Sequence, residues 1–288
     1  MTLNKFVFTV VGSAAMAATA FGGTASSGKY VQPQVAPAEE DLGLTLGVGY
    51  DTHYFFRGLN LAEDWVSTSV DWTLPLTKGL RLDLGANYGT SAGDSAKLGK
   101  YDAGDLSNLV GFDVGNISYD RLQLDANLVA TLGPVEVGVG YRWYHNLGDL
   151  ARAMEDGNEV GVNVATKLGP INLGVAAYRD FSTDGWYFEA AVNTEIKLCE
   201  RVSLVPGANV GYADHYSYQF SALGFRPEVD SFTTVTVSLA MPIKLTKRAT
   251  LTPYVAGNLP LNDLRKYADV IPLQDNQLYG GVNLSVKF

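Results

Sequence analysis

A single cysteine, three histidines and a shortage of basic residues mark this 288-residue sequence as much as anything it contains. The lone thiol, Cys199, excludes an internal disulfide and a thiolate metal site. With 21 Lys and Arg against 30 Asp and Glu, the net charge of −9 argues against nucleic acid as a partner. Beyond the amino-terminal segment no apolar run approaches the ~20 residues of a spanning helix. No stretch keeps an apolar stripe at helical spacing over the length of a globular helix.

Present instead are 31 glycines, 16 tyrosines and an alternation of apolar and polar residues that runs almost from end to end. Residues 1–25 read as an export signal: Lys5 supplies a small basic start, 6–11 open an apolar core, and 14–20 continue it with small residues. Cleavage fits after Ala20, in Ala18-Thr19-Ala20, or after Ala25, in Gly23-Thr24-Ala25. Residues 26–41 carry Pro33 and Pro37 among Gln, Ala and acidic residues without an apolar period, and are expected to form a flexible periplasmic tail.

From residue 42 the even positions of the first segment are Leu42, Leu44, Leu46, Val48, Tyr50, Thr52, Tyr54 and Phe56, facing Thr45, Gly47, Gly49, Asp51, His53 and Arg57 on the odd ones. One apolar and one polar or small face is the period-two pattern of a strand with lipid outside and a wet or packed interior. It returns at 66–76, 80–88, 122–132, 135–143, 160–168, 171–177, 186–198, 202–212, 233–243, 251–257 and 278–288, twelve segments in all. A strand pair in 106–114 would make fourteen. Short connections (77–79, 133–134, 169–170, 199–201, 245–249) alternate with longer ones (58–64, 90–120, 144–158, 179–185, 213–232, 258–277). The expectation is an all-β, transmembrane antiparallel barrel over 42–288 in the bacterial outer membrane, with short periplasmic turns and longer extracellular loops. Tyr50, Tyr54, Tyr88, Tyr141, Trp143, Trp186, Phe188 and Tyr212, near the long-loop ends, are expected to form an aromatic girdle.

The run 278–288 ends on Phe288 with apolar even positions, and resembles the assembly signal of outer-membrane barrels. The first strand runs Gly49-Tyr50-Asp51-Thr52-His53-Tyr54-Phe55-Phe56-Arg57-Gly58-Leu59-Asn60 and ends in an aromatic-Arg-Gly motif leading to the first outer loop. In this it resembles the opening of the TorF-type porins, and the resemblance implies a pore without naming a solute. Two phenylalanines precede Arg57, and the residues after Asn60 diverge from that pattern.

Continuing the parity inward collects Asp51, Asp83, Asp125, Glu136, Glu159, Glu189 and Glu195 with Arg57, Arg81, Arg121, Arg142, Lys167, Lys197 and Lys287. Strand direction sets Arg57, Arg121 and Arg142 near the outer mouth at the depth of Asp51, Asp125 and Glu189, and these six are the candidate pore lining. Opposed charges there would either set a transverse field across a constriction or pair and fill a closed interior. Inward glycines such as Gly85, Gly138, Gly140 and Gly161 thin the lumen wall and favour a passage.

Two strings mimic catalysis. Gly89-Thr90-Ser91-Ala92-Gly93 matches a nucleophile elbow but no helix pattern follows it. His215-Tyr216-Ser217 could serve a lipid hydrolase, with parity pointing His215 and Ser217 inward. His53 and His145 flank strand ends, and Asp102 and Asp105 lack a complete calcium spacing. No enzyme, cofactor or metal is expected. The reading is a porin-like channel for small hydrophilic solutes, partnered by outer-membrane lipids and the barrel-assembly machinery, with an oligomer compatible. The alternatives are a non-conducting surface-interaction barrel and a lipid hydrolase.

Overall fold

The computed structural model describes residues 42–92, 118–148, 154–217, 228–267 and 277–288. The export signal and its cleavage positions, the tail 26–41, the strand pair at 106–114, Asp102 and Asp105 lie outside them.

Alternation turns into strands wherever it was expected. In chain order these are β1 (Leu44–Phe56), β2 (Leu59–Thr77), β3 (Leu80–Ser91), β4 (Asp120–Leu132), β5 (Val135–Leu147), β6 (Gly157–Leu168) and β7 (Ile171–Asp180). They continue with β8 (Gly185–Thr194), β9 (Ile196–Lys197), β10 (Ser203–Asp214), β11 (Phe232–Ala240), β12 (Ile243–Lys244), β13 (Ala249–Pro260) and β14 (Gln277–Lys287). The two-residue β9 and β12 prolong β8 and β11 past Glu195 and past Met241-Pro242, so the fourteen strands make a ring of twelve. Every neighbour is antiparallel, and the ring closes through β1 with β14 and β11 with β13. A short helix, α1 (Asn262–Tyr267), follows β13, in a stretch expected to be loop.

Closure satisfies the backbone without water, which is what a hydrocarbon environment demands. The outward face supplies the matching surface: Leu46, Val48, Val70, Leu128, Val139, Val162, Val175, Val192, Val237 and Val255 are all exposed around the ring. Tyr50, Tyr88, Tyr141, Trp186 and Phe188 stand exposed on the same face toward the outer strand ends. An apolar belt with an aromatic edge on a closed barrel places this protein in the bacterial outer membrane.

Two expectations need correction. Residues 58–64 are not an extracellular loop: β2 begins at Leu59, and Arg57-Gly58 alone make the turn. Both turn residues have positive φ, 52° and 90°, the type I′ geometry of a two-residue hairpin. Tyr54 does not join the girdle; it is fully buried and stacked on Trp65, with ring centroids 4.2 Å apart.

The lipid-facing assignment predicts that Val162→Lys, in the middle of β6, destabilises the folded barrel by about 2–4 kcal/mol. Urea unfolding in lipid vesicles measures it; a neutral effect would place that face elsewhere.

Candidate functional site in the barrel lumen

The site begins where β1 leaves the wall. Pairing of β1 with β14 stops at Asp51 and Gly281, and pairing of β2 with β3 begins only at Trp65 and Ser91. Between these points the two strands pair with each other alone, through His53 with Glu63, Tyr54 with Ala62, Phe55 with Asn60 and Phe56 with Leu59. A register irregularity at Tyr54 and Phe55 and a positive φ of 49° at Asp64 bend this ribbon at its root. Tyr54, Phe55, Phe56, Arg57, Leu59, Asn60, Leu61 and Ala62 are all buried, so both faces of the ribbon are covered. A two-stranded ribbon outside the wall can be covered on both faces only within the lumen.

Contacts at its tip confirm the crossing. Arg57 donates from Nη2 to Glu159 Oε2 on β6 at 2.8 Å and from Nη1 to the Tyr216 hydroxyl beyond β10 at 2.5 Å. Its guanidinium lies 4.4 Å from the centre of the Tyr187 ring on β8 and 5.4 Å from that of Tyr178 on β7. The Asn258 amide on β13 donates to the Gly58 carbonyl at 3.1 Å. A Cβ on Gly58 would meet Leu264 of α1 and Thr234 of β11, each at 2.9 Å, so glycine is required both by φ and by space. The hairpin tip therefore reaches the wall opposite its root and fills the outer part of the barrel.

Arg121 is held differently. Phe56 from the hairpin and Tyr144 from β5 sandwich its guanidinium, with ring centres 4.0 and 3.8 Å away. It is 2 % exposed, no carboxylate pairs with it among the described residues, and the polar groups facing it are the hydroxyls of Tyr54 and Tyr119. Cation–π contact in a desolvated setting is worth about 2 kcal/mol or more, which offsets only part of the cost of a buried, unpaired cation.

Arg142 donates from Nε to Asp125 Oδ1 at 2.5 Å and from Nη1 to the Tyr144 hydroxyl at 3.1 Å. Glu189 is buried with one carboxylate oxygen unpartnered. Asp51 sits apart, at the root of the ribbon, where Tyr254 donates to it at 2.5 Å. All six candidate residues thus face the lumen. Arg57, Arg121 and Arg142 share the aromatic layer of Phe56, Tyr144, Tyr178, Tyr187 and Tyr216, while Asp51 lies outside it.

Directly paired positions continue this layer downward. Asp71 pairs with Gly85, Gly85 with Asp125, Asp125 with Arg142, Arg142 with Glu159, and Glu159 with Asp180. Because the strands of a barrel tilt, such a row climbs the wall. Here it rises from the middle of the wall-paired part of β2 to the outer end of β7. Below the hairpin the inward side chains are small or amide-bearing, with Ser67, Ser69, Asn127, Asn163, Asn193, Ser238, Thr252 and Asn283 among them. Near the periplasmic end, Arg81 bridges Asp83 at 3.0 Å and Glu136 at 2.7 Å.

Sequence reasoning placed Glu159 on the inward face without seeing it as Arg57's partner. It passed over Asp71, Asp180 and the inward tyrosines altogether. Parity alone marks Tyr144, Tyr178 and Tyr187 as inward, and large aromatics at inward positions near the outer strand ends are the available signal of a filled lumen.

The structure places both catalytic strings, with Ser217 buried as the sequence pattern expects. Ser91 is buried at the end of β3, where its Oγ accepts the Tyr119 backbone N–H at 3.1 Å. A positive φ of 52° at His215 reverses the parity after β10, turning Tyr216 into the lumen and leaving the His215 side chain 67 % exposed. This corrects the inward direction expected for His215. A hydrogen bond to Asp214, with Asp230 and Glu228 near by, holds its imidazolium above the ordinary histidine range. Asp214, His215 and Asp230 are the one group of carboxylate and imidazole atoms among the described residues close enough to share an ion. His53 lies 3.6 Å from Glu63, and His145 pairs with Asp156 at 2.7 Å.

No protein-family model and no curated protein matches the sequence. Among solved structures, the COG4313 outer membrane channel from Pseudomonas putida F1 aligns over 88 % of this chain and 100 % of its own, at 14 % identity and a TM-score of 0.52. The chain has the fold of that outer-membrane channel. The KdgM porin covers 85 % of this chain and 99 % of its own at 8 % identity and a TM-score of 0.47, and LpxR from Salmonella typhimurium 85 % and 100 % at 8 % and 0.49. The last two likenesses are too distant to bear on what the lumen does.

Breaking a buried ion pair from one side leaves an uncompensated charge, at a cost of about 3–5 kcal/mol. Glu159→Ala should therefore free the hairpin, raising amide hydrogen exchange at Phe56 and Leu59, whereas Arg57→Met with Glu159→Met should restore most of the protection. Equal protection in all three proteins would mean that the pair does not hold the hairpin.

Proposed function

We propose that this barrel is a porin-like channel for passive diffusion of small hydrophilic solutes, closed at its outer end by the β1–β2 hairpin. The observation that carries this reading is the contrast between the two parts of the lumen. The filled outer part depends on one ribbon whose backbone ladder joins the wall only at its root and whose tip is held by side-chain contacts, and the wall beneath is polar and thinned by glycine. A barrel of twelve strands lies between those filled by their own side chains and those with a wide aqueous channel, so one hairpin suffices to close it. On this reading Asp51, Arg57, Arg121, Asp125, Arg142 and Glu189 line the path a solute follows once the hairpin swings aside. Arg121, which has no carboxylate partner among the described residues, works against complete closure, because its guanidinium gains water when Phe56 leaves.

The aromatic-Arg-Gly opening supports a place beside the TorF-type porins, with Arg57-Gly58 as the hairpin turn. Export through cleavage of the signal after Ala20 or Ala25, and delivery to the barrel-assembly machinery through the strand ending in Phe288, complete the proposal. A second reading, a non-conducting barrel acting through its surface, draws on the full burial of the hairpin on both faces.

Planar-bilayer recording of the refolded protein separates the two. The channel reading predicts discrete conductance steps between long closures, and replacing Arg57 and Arg142 by Gln should shift the reversal potential toward cation selectivity. A folded barrel without steps would favour the second reading, and an unchanged reversal potential would remove the two arginines from the path.

A further inference from the structure

Beneath the hairpin the wall opens into a recess with a cavity volume of about 70 Å3, open to the lumen. Asp71, Asp83, Asp125, Asn127, Arg142, Asn163 and Tyr178 supply its polar lining. Glycines make the room. Gly85 lies between Asp71 and Asp125 in the sheet, and a Cβ there would stand 3.4 Å from Asp71 Oδ1 and 3.6 Å from Asp125 Oδ2, so the two carboxylates flank a bare stretch of wall. Asn127 and Tyr178 fold down over Gly140 and Gly161, their own paired neighbours.

Two groups in this lining are buried and unsatisfied. Asn163 is 6 % exposed and gives its Nδ2 hydrogen to Asn127 at 3.4 Å, but its Oδ1 has no partner. Tyr178 is 5 % exposed, and its hydroxyl has none either. Buried polar atoms without partners in a polar recess are places for a ligand or water.

The chemistry narrows the ligand. Among the described residues no three carboxylates of this recess come close enough together to share an ion, so a site built from three or more of them is not formed here. Acceptors predominate, with Arg142 as a charged donor, and Asp71, Asp83 and Asp125 outnumber it in charge, which disfavours an anion. Spaced acceptors with a donor among them suit a row of hydroxyls, each of which gives one hydrogen bond and takes others. We infer that this recess is a subsite for a neutral polyhydroxyl solute, a monosaccharide or sugar alcohol, reached from the periplasmic side of the hairpin. The inference rests on the channel reading and names the class of solute that lingers in it.

Saturation-transfer NMR on the barrel refolded in micelles tests it, with D-glucose and D-glucuronate as probes and heat-modifiable gel migration as the check on folding. Transfer to glucose should exceed transfer to glucuronate. It should fall at least about threefold in Asn163→Leu and in Asp125→Asn, the loss expected for one hydrogen bond; Asn163→Ala serves if the leucine variant does not fold. No transfer to glucose in a folded barrel, equal transfer in the variants, or a preference for glucuronate would each overturn the inference. Bilayer recording reports on the channel independently. Glucose binding without conductance would sink the channel reading and leave the subsite, and conductance without binding would do the reverse.

Discussion

Everything in this molecule follows from the closure of one hydrogen-bonded ring. In hydrocarbon an unpaired backbone N–H or C=O costs several kcal/mol, so β1 must find β14 as surely as it finds β2. Register then follows from the pleat, because a slip of one residue would turn Val48, Val282 and their neighbours inward and expose Asp51 and Asn283 to lipid. With the outside committed to apolar side chains, all the chemistry of the chain is forced onto the inner face.

What departs from the ring is as informative as the ring itself. Residues 52–63 give up their outer neighbours, and the ribbon they form recovers the loss by burying aromatic and aliphatic side chains on both faces. The departure is local: a bulge, a tight turn with two positive φ angles and a third at Asp64 redirect the chain while β1 and β2 remain paired with each other. Charge is carried into the lumen at the tip, where Arg57 meets a carboxylate and a phenol. A plug of this kind differs from a packed core. Its ion pair joins the ribbon to the wall across the lumen, so removing either partner leaves an uncompensated buried charge.

The strands were legible because period-two alternation is a direct consequence of having lipid on one side, and the inward charges followed by parity. The hairpin was not legible in the same way. Alternation tells which face a side chain occupies but not whether the strand is still in the wall. The signal was the loss of alternation itself: Tyr54-Phe55-Phe56 and, apart from Asn60, Leu59-Asn60-Leu61-Ala62 carry apolar side chains on both faces, as befits a ribbon buried on both sides. Parity also fails after a residue with positive φ, which is why His215 and Tyr216 exchange the directions expected of them. Partners such as Glu159 for Arg57 depend on the hairpin crossing the barrel, a distance of 102 residues in sequence that no local pattern reports.

The claim on which the account stands is that one hairpin closes the outer lumen. Excising 55–60 and joining Tyr54 to Leu61 through an Asn-Gly turn shortens the ribbon without disturbing the pairing of β1 with β14 or of β2 with β3. Single-channel recording of this variant should show a steady ohmic conductance well above the time-averaged conductance of the intact protein. A correctly folded variant that conducts no better than the intact barrel would contradict the account, because the lumen would then be closed by its own wall.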